Sequence, residues 1–315
     1  MTDSKKITEG ALLTAVYIAL LWMTVFIPVI SIFTFFALAI PFIIYTAKHN
    51  WQPALMMFVV AIILSLIFAT LFSLPTTLLM AFSGIMIGKA IYDGRSAYET
   101  WARGTVGFIF GLIIVFIIIQ FVMQINIFAE IDQVIAESMN LMQSMMNQLG
   151  LNDDIEEQMK LMEEQMHLFK DLIPASIAII SILMAFVSQW LSYKIINRIE
   201  QQRLYFPKFK SFNLPRSVVW VYLVFLLLSF FIQDDGGSLY IIVMNVVLLL
   251  MILLAIQGLS FVFFYTDYKQ MSKAIPILIV VVTLIIPGIP LLIVRIIGII
   301  DLGYGLKKRI AESEK

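Results

Sequence analysis

The sequence predicts an all-α, polytopic membrane helix bundle of about eight spans, closed by a C-terminal broken helical hairpin and carrying an extracytoplasmic amphipathic helical hairpin. Three observations lead there. Of 315 residues, 61% are of apolar type and only 13% are charged, and the mean hydropathy is +0.96, more apolar surface than a soluble fold can enclose. Several apolar runs reach roughly the twenty residues that a helix needs to cross the hydrocarbon core. The formal net charge of zero hides a segregation of basic and acidic residues into different connections, as the bias of Lys and Arg toward the cytoplasm demands.

The first span is Gly10 to Pro28, with Lys5 and Lys6 just before it, so the N-terminus is expected on the cytoplasmic side. No small-residue cleavage site follows, and the run reads as a retained anchor. Ala11, Ala15 and Ala19 recur at every fourth residue beside Gly10 and share one helical face. Such a small face supports close helix approach in lipid. Its partner is either another helix of the same chain or a separate membrane subunit.

A second span, about 30–47, carries Pro41 in its interior, where a kink is expected. Lys48, His49 and Trp51 mark the inner interface; His49 reads as an interfacial polar residue and Glu9 as helix N-terminal charge. Span three covers about 52–72. Span four, about 74–90, begins at Pro75 and holds Gly84 and Gly88 at the GxxxG spacing, a close-packing face. The cytoplasmic loop 89–103 leads to span five, about 104–126, which repeats the small face with Gly104, Gly107 and Gly111. It ends in Gln120, Gln124 and Asn126, polar candidates at the outer mouth.

Residues 128–171 form the one long stretch outside the membrane, with ten acidic residues against Lys160 and Lys170. Met139, Met142, Met146 and Leu149 fall at helical spacing, as do Ile155, Met159, Met162, Met166 and Phe169, with Gly150 between the runs and Asn152 as an N-cap. Thioether ligands would suit copper(I). With no Cys and no clustered His, flexible Met filling a helix contact is the simpler expectation.

Span six, about 172–193, precedes a basic loop, 194–216, holding Lys194, Arg198, Arg203, Lys208, Lys210 and Arg216 against Glu200 alone. Its interleaved aromatics suit an anionic headgroup layer. Span seven covers about 217–232, residues 233–237 form an outer turn, and span eight, about 239–265, carries Asn245 and Gln257 as interhelical glue. From 274 to 304 the chain is apolar but broken by Pro287, Gly288 and Pro290. Two short spans, 274–286 and 289–304, return Lys307, Lys308 and Arg309 to the cytoplasm and are preferred to one long span. The intramembrane charges Arg295 and Asp301 read as a stop at the membrane edge. Six residues apart on a helix, they are about 120° from a common face, against a direct pair.

The expected organisation is five spans over 1–127, the acidic Met-rich hairpin over 128–171, a sixth span over 172–193, the basic loop over 194–216, a C-terminal membrane unit over 217–306 and a cytoplasmic tail over 307–315. No Walker-type GxxxxGK[ST], HExxH or GxSxG motif occurs, and zero Cys removes thiol catalysis, disulfides and thiolate metal sites. No enzyme activity, cofactor, metal or nucleic-acid partner is expected. The lipid bilayer is the expected partner.

TEGALLTAVYIAL near the start, SGIMIGKAI in span four and RIIGIIDLGYGLKKR near the end together resemble the YybS-like family of bacterial multi-pass membrane proteins. The first of them is also similar to the opening helix of S-components, the substrate-capture subunits of energy-coupling-factor (ECF) transporters, a resemblance that implies their fold for about residues 8–194. That likeness implies a six-helix bundle, completed by span six, that binds a small molecule while separate subunits supply energy. It makes Ala11, Ala15 and Ala19 the docking positions for a membrane coupling subunit. The alternative expectation is a membrane scaffold or regulator that recruits a partner protein through the basic loop and tail. Both place the chain in the bacterial plasma membrane with both termini cytoplasmic.

Overall fold

The computed structural model describes residues 3–148, 161–162, 165–166, 168–232 and 237–312. Every regular element among them is helical. The second Met run up to Met159, with Gly150 and Asn152, and the turn at 233–236 lie outside the described residues. The chain divides into two compact units, Met1–Lys170 with Ser176–Tyr205, and Asp171–Ala175 with Phe206–Lys315.

The first unit opens with α1 (Asp3–Phe26). Gly10, Thr14, Tyr17 and Leu21 are its buried positions, spaced by four, three and four residues as one helical face requires. Tyr17 fixes that face, donating to Thr77 at 2.8 Å and meeting the Phe42 ring edge-on at 4.9 Å. The span after it is split into α2 (Pro28–Ala37) and α3 (Ile40–His49). Proline sits in the first turn of each, where its missing N–H costs nothing. The break therefore falls at Leu38 and Ala39, just before Pro41, and both are fully buried.

α4 (Trp51–Phe68) and α5 (Ser73–Tyr92) follow. α5 lies at the centre, packing on α3, α4 and α6 (Ala97–Ile117). Its two glycines make the approach to α3: a methyl group on Gly84 would sit 2.8 Å from the Ala39 carbonyl oxygen, and one on Gly88 2.7 Å from that of Ile43. On the other side Gly107 meets Met86 and Ser83, and Gly111 meets Leu79.

α6 begins at its Ser96 cap, well before the expected start of span five, with the Ser96 hydroxyl accepting from the Glu99 N–H at 3.2 Å. At Ile118–Val122 it widens into a π turn and ends. α7 (Ile127–Gln148) then carries a less exposed stripe of Ile131, Ile135, Met139, Met142 and Met146. Lys170 ties the returning chain to it, with its ammonium 2.6 and 2.8 Å from the two carboxylate oxygens of Asp132.

From Ser176 onward α8 (Ile173–Glu200) completes this unit. Within it, Trp101 donates to the Ile182 carbonyl at 2.8 Å, and the Gln189 amide donates to the Ala97 carbonyl at 2.9 Å.

The second unit holds a short 3-10 turn at Phe209–Ser211, then α9 (Ser217–Phe231), α10 (Ser238–Tyr268), α11 (Ala274–Ile285), α12 (Gly288–Tyr304) and α13 (Leu306–Glu312). Asn245 of α10 bridges two segments of this unit, accepting from the Ala175 N–H and donating to the Asp171 carbonyl, both at 2.7 Å. Val219, Tyr222, Leu254 and Leu302 form its buried apolar cluster.

α10 and α12 touch through their backbones. A methyl on Gly258 would lie 1.8 Å from the Val294 carbonyl oxygen, and one on Gly298 2.0 Å from that of Leu254. Each glycine thus meets the other and the residue four before it, the register of two helices running the same way. α11 must then turn the chain back between them, so the C-terminal apolar segment is a hairpin broken at Ile286 and Pro287. At 15 and 12 residues, α9 and α11 fall short of the roughly 30 Å hydrocarbon core.

Candidate functional site

The richest polar assembly lies in the second unit, where α10, the segment before α9 and the end of α12 converge. Gln257 of α10 is fully buried, and all of its amide capacity there is used. Its carbonyl oxygen accepts from the Leu214 N–H at 3.0 Å, and its amide nitrogen donates to Asp301 at 2.6 Å and Asn213 at 3.1 Å. Asp301 is 2% exposed. One of its oxygens takes the Gln257 bond, and the other accepts from the Lys307 backbone N–H at 3.1 Å.

The Lys307 side chain folds back over this carboxylate. Its ammonium donates to the Phe212 carbonyl and the Ser260 hydroxyl, both at 2.7 Å, and lies 3.6 Å from Asp301. The Ser260 hydroxyl sits 2.7 and 3.0 Å from the Phe209 and Phe212 carbonyls and gives its one proton to this pair. Burial pulls the Lys307 ammonium below the ordinary lysine range, and the Asp301 charge opposes that pull. The buried Asp301 carboxylate thus has a hydrogen-bond donor on each oxygen, as an enclosed polar group requires.

Beside the network opens a cavity of about 620 Å³, walled by Lys210, Arg216, Phe264, Tyr268, Asp301 and Lys308 among others. Lys210 is paired with Asp267. Arg216 rests on the turn between α12 and α13, where Gly305 has φ +64°. A methyl group on Gly305 would come within 3.0 Å of the Arg216 guanidinium. Glycine is favoured there by the left-handed backbone.

Asp301, expected as a stop at the membrane edge, is enclosed and paired within its own unit. Its partners come from Gln257, 44 residues away, and from Lys307. Among the described residues no ion pair joins it to Arg295, whose Nε is enclosed without a hydrogen-bond partner.

Ala11, Ala15 and Ala19 are all exposed. Within the first unit it is the Gly10, Thr14, Tyr17 and Leu21 face of α1 that turns inward.

Gln120, Gln124 and Asn126 do not share a helical face, because the helix ends at Val122 and Gln124 has φ +55°. Gln120 and Asn126 serve the turn into α7, accepting from Ile127 at 3.4 Å and Ala129 at 3.2 Å. An apolar hollow of about 310 Å³ lies beside them, lined by Ile125, Ile127, Ile131, Val134, Ile135 and Glu130.

In the basic loop, the Lys194 ammonium stands 3.5 Å from the centre of the Trp190 ring, while Arg198, Arg203, Lys208 and Arg216 are exposed. His49 is buried and lies 2.7 Å from Glu9, which also holds Lys48 at 2.9 Å, so neither Glu9 nor His49 is a plain interfacial group. Sequence reasoning missed Asn213, Gly258, Ser260, Gly298, Gly305 and the inward turn of Lys307. Among the described residues no cluster of three or more His, Cys, Asp or Glu is placed to hold a metal ion.

Among the described residues, seven helices are long and apolar enough to cross a membrane, or eight counting the bent pair α12 and α13. This architecture is that of an α-helical multi-pass membrane protein. The chain belongs to the family described as "Predicted membrane protein (DUF2232)", whose model matches residues 15–302. It is similar to "Uncharacterized protein YybS" of Bacillus subtilis (strain 168), at 29% identity over 311 residues covering 98% of this chain and 100% of that protein. No solved structure matches the chain.

Proposed function

We propose that the protein is a transport-related membrane component whose first unit binds a small molecule in the manner of an S-component, with energy supplied by separate subunits. The observation that carries this reading is the outward face of α1. Ala11, Ala15 and Ala19 are exposed while the opposite face is held by the Tyr17–Thr77 hydrogen bond. A smooth small-residue surface on a well-anchored helix suits close approach by another membrane helix. The glycine-mediated packing of α3, α5 and α6 supports a rigid bundle behind it. The acidic α7 region belongs, in this reading, outside the plasma membrane, with the basic connections and both termini in the cytoplasm.

The test is co-purification from native membranes in mild detergent, comparing wild type with Ala11→Leu/Ala15→Leu/Ala19→Leu. A membrane coupling subunit and its ATPase are expected with the wild type and lost from the variant. Equal recovery from both, or none from the wild type, would overturn the proposal. The exposure of Arg198, Arg203, Lys208 and Arg216 favours a second reading, a scaffold that recruits a cytoplasmic partner. It predicts instead a protein lost when these four are replaced by Gln and retained in the alanine-stripe variant.

A further inference from the structure

We propose that the cavity of the second unit is a binding site for a phosphate-bearing organic anion. Its charge is the first reason. Four cations line it, Lys210, Arg216, Lys307 and Lys308, against the carboxylates of Asp267 and Asp301. Lys210 is taken by Asp267 and Lys307 by Asp301, Phe212 and Ser260. Among the described residues, Arg216 has no carboxylate partner. Lys308 reaches only Glu312, at 3.9 Å with both side chains largely exposed, a pair worth little. Two positive charges thus face the cavity with little compensation, suited to the anionic oxygens of a phosphate group.

Geometry is the second reason. The Arg216 guanidinium is seated on Gly305, where a methyl group would stand 3.0 Å from its Nη2, so glycine leaves it room against the backbone. A planar fork of donors recognises phosphate oxygens in pairs. The buried Gln257–Asp301–Lys307 network keeps the wall behind it rigid and neutral.

Size and lining are the third. About 620 Å³ exceeds what inorganic phosphate needs and falls in the range of organic ligands. Phe264, Leu302 and Ala311 supply an apolar wall for the carbon part, with Asn213 and Tyr268 as neutral polar groups. The shared chemistry fits an anionic phospholipid headgroup or a soluble organic phosphate.

The experiment uses the full chain, with two probes. In the lipid arm, protein is reconstituted in phosphatidylcholine nanodiscs with and without phosphatidylglycerol, and the lipid retained after delipidation is counted by native mass spectrometry. In the soluble arm, glycerol 3-phosphate is titrated calorimetrically into protein in a zwitterionic detergent.

Arg216→Gln/Lys308→Gln is compared with wild type, with Gly305→Ala, and with Lys273→Gln, which removes an exposed cation from outside the cavity. Binding by the wild type in one arm or both is expected, and that arm names the source. The double variant should lose affinity about tenfold or more, the scale of a lost charged hydrogen bond. Gly305→Ala keeps every charge but strains the left-handed turn beneath Arg216, so it should also bind more weakly while Lys273→Gln binds normally. The proposal fails if wild type binds neither probe, if the double variant binds as wild type, or if Lys273→Gln loses as much as the double variant.

Discussion

The amide nitrogen of Gln257 stands 2.6 Å from a carboxylate oxygen of Asp301, and both side chains are almost completely enclosed. This contact is possible because Gly258 and Gly298 let α10 and α12 meet backbone to backbone, placing Gln257, beside Gly258, within reach of Asp301, about a turn beyond Gly298. A close crossing and a buried polar pair therefore form one device that fixes where α12 ends and where the segment before α9 is stitched.

Asp301→Ala removes the acceptor of Gln257 and the counter-charge of Lys307 while leaving both enclosed. It is expected to destabilise the second unit by about 3 kcal/mol, the range for breaking a buried charged pair. Asp301→Asn keeps the shape and an acceptor and should cost less. Unfolding in mixed micelles measures both. A cycle with Gln257→Ala should show coupling of roughly 0.5–3 kcal/mol, whereas simple additivity would show that the two side chains do not act together.

Gly298→Ala tests the crossing itself. The added methyl would fall 2.0 Å from the Leu254 carbonyl oxygen and 2.9 Å from the Gly258 nitrogen, atoms that cannot rotate away. The helices must separate, at a cost of about 1–3 kcal/mol for overpacking, and the Gln257–Asp301 bond should lengthen with them. Gly303→Ala is the control, since nothing lies within 4 Å of a methyl there. It should unfold as wild type does.

These particulars also show what can be read from a membrane sequence. Spans are legible because lipid imposes one length and one polarity on each segment. The hairpin at Pro287 is legible because Lys307 and Lys308 must come back to a defined side. The fate of Asp301 is not, because its partners Gln257 and Asn213 belong to other segments, and local periodicity carries no information about which distant side chain arrives. Gly258 and Gly298 were half visible: a lone glycine inside a helical apolar run carries a packing signal, but attention to pairs spaced by four passes over single ones. The spacing of Ala11, Ala15 and Ala19 shows that they share a face. Only folding around Tyr17 shows that this face looks outward.

Glu9 couples the start of α1 to the end of α3 through His49 at 2.7 Å and Lys48 at 2.9 Å. The His49 side chain is 1% exposed, so Glu9→Ala leaves a buried ring nitrogen without its partner, at a cost of about 1–3 kcal/mol. The damage should be local. Hydrogen exchange is expected to speed up in the first turns of α1 and the last turn of α3 and to stay unchanged in the Gly84 crossing of α5. Uniform acceleration would mean that the contact holds the whole unit and not one end of it.

The orientation of the first unit follows from which charges flank α6, and the absence of Cys from the sequence makes it directly measurable. Arg95 precedes this helix in the short connection from α5, and Ser144 follows it in α7, which has acidic residues and no Lys or Arg. The helix runs 21 residues from Ala97 to Ile117 and continues through a five-residue π turn, enough to cross the hydrocarbon core. Arg95 and Ser144 must then face opposite sides. Moving basic loop residues outward is what the insertion machinery resists, so Arg95→Cys is expected to react with a membrane-impermeant maleimide only after the cells are opened. Ser144→Cys should react in intact cells. The reverse pattern would invert the unit and put α7 on the cytoplasmic side, removing the outward-facing capture site on which the transport reading depends.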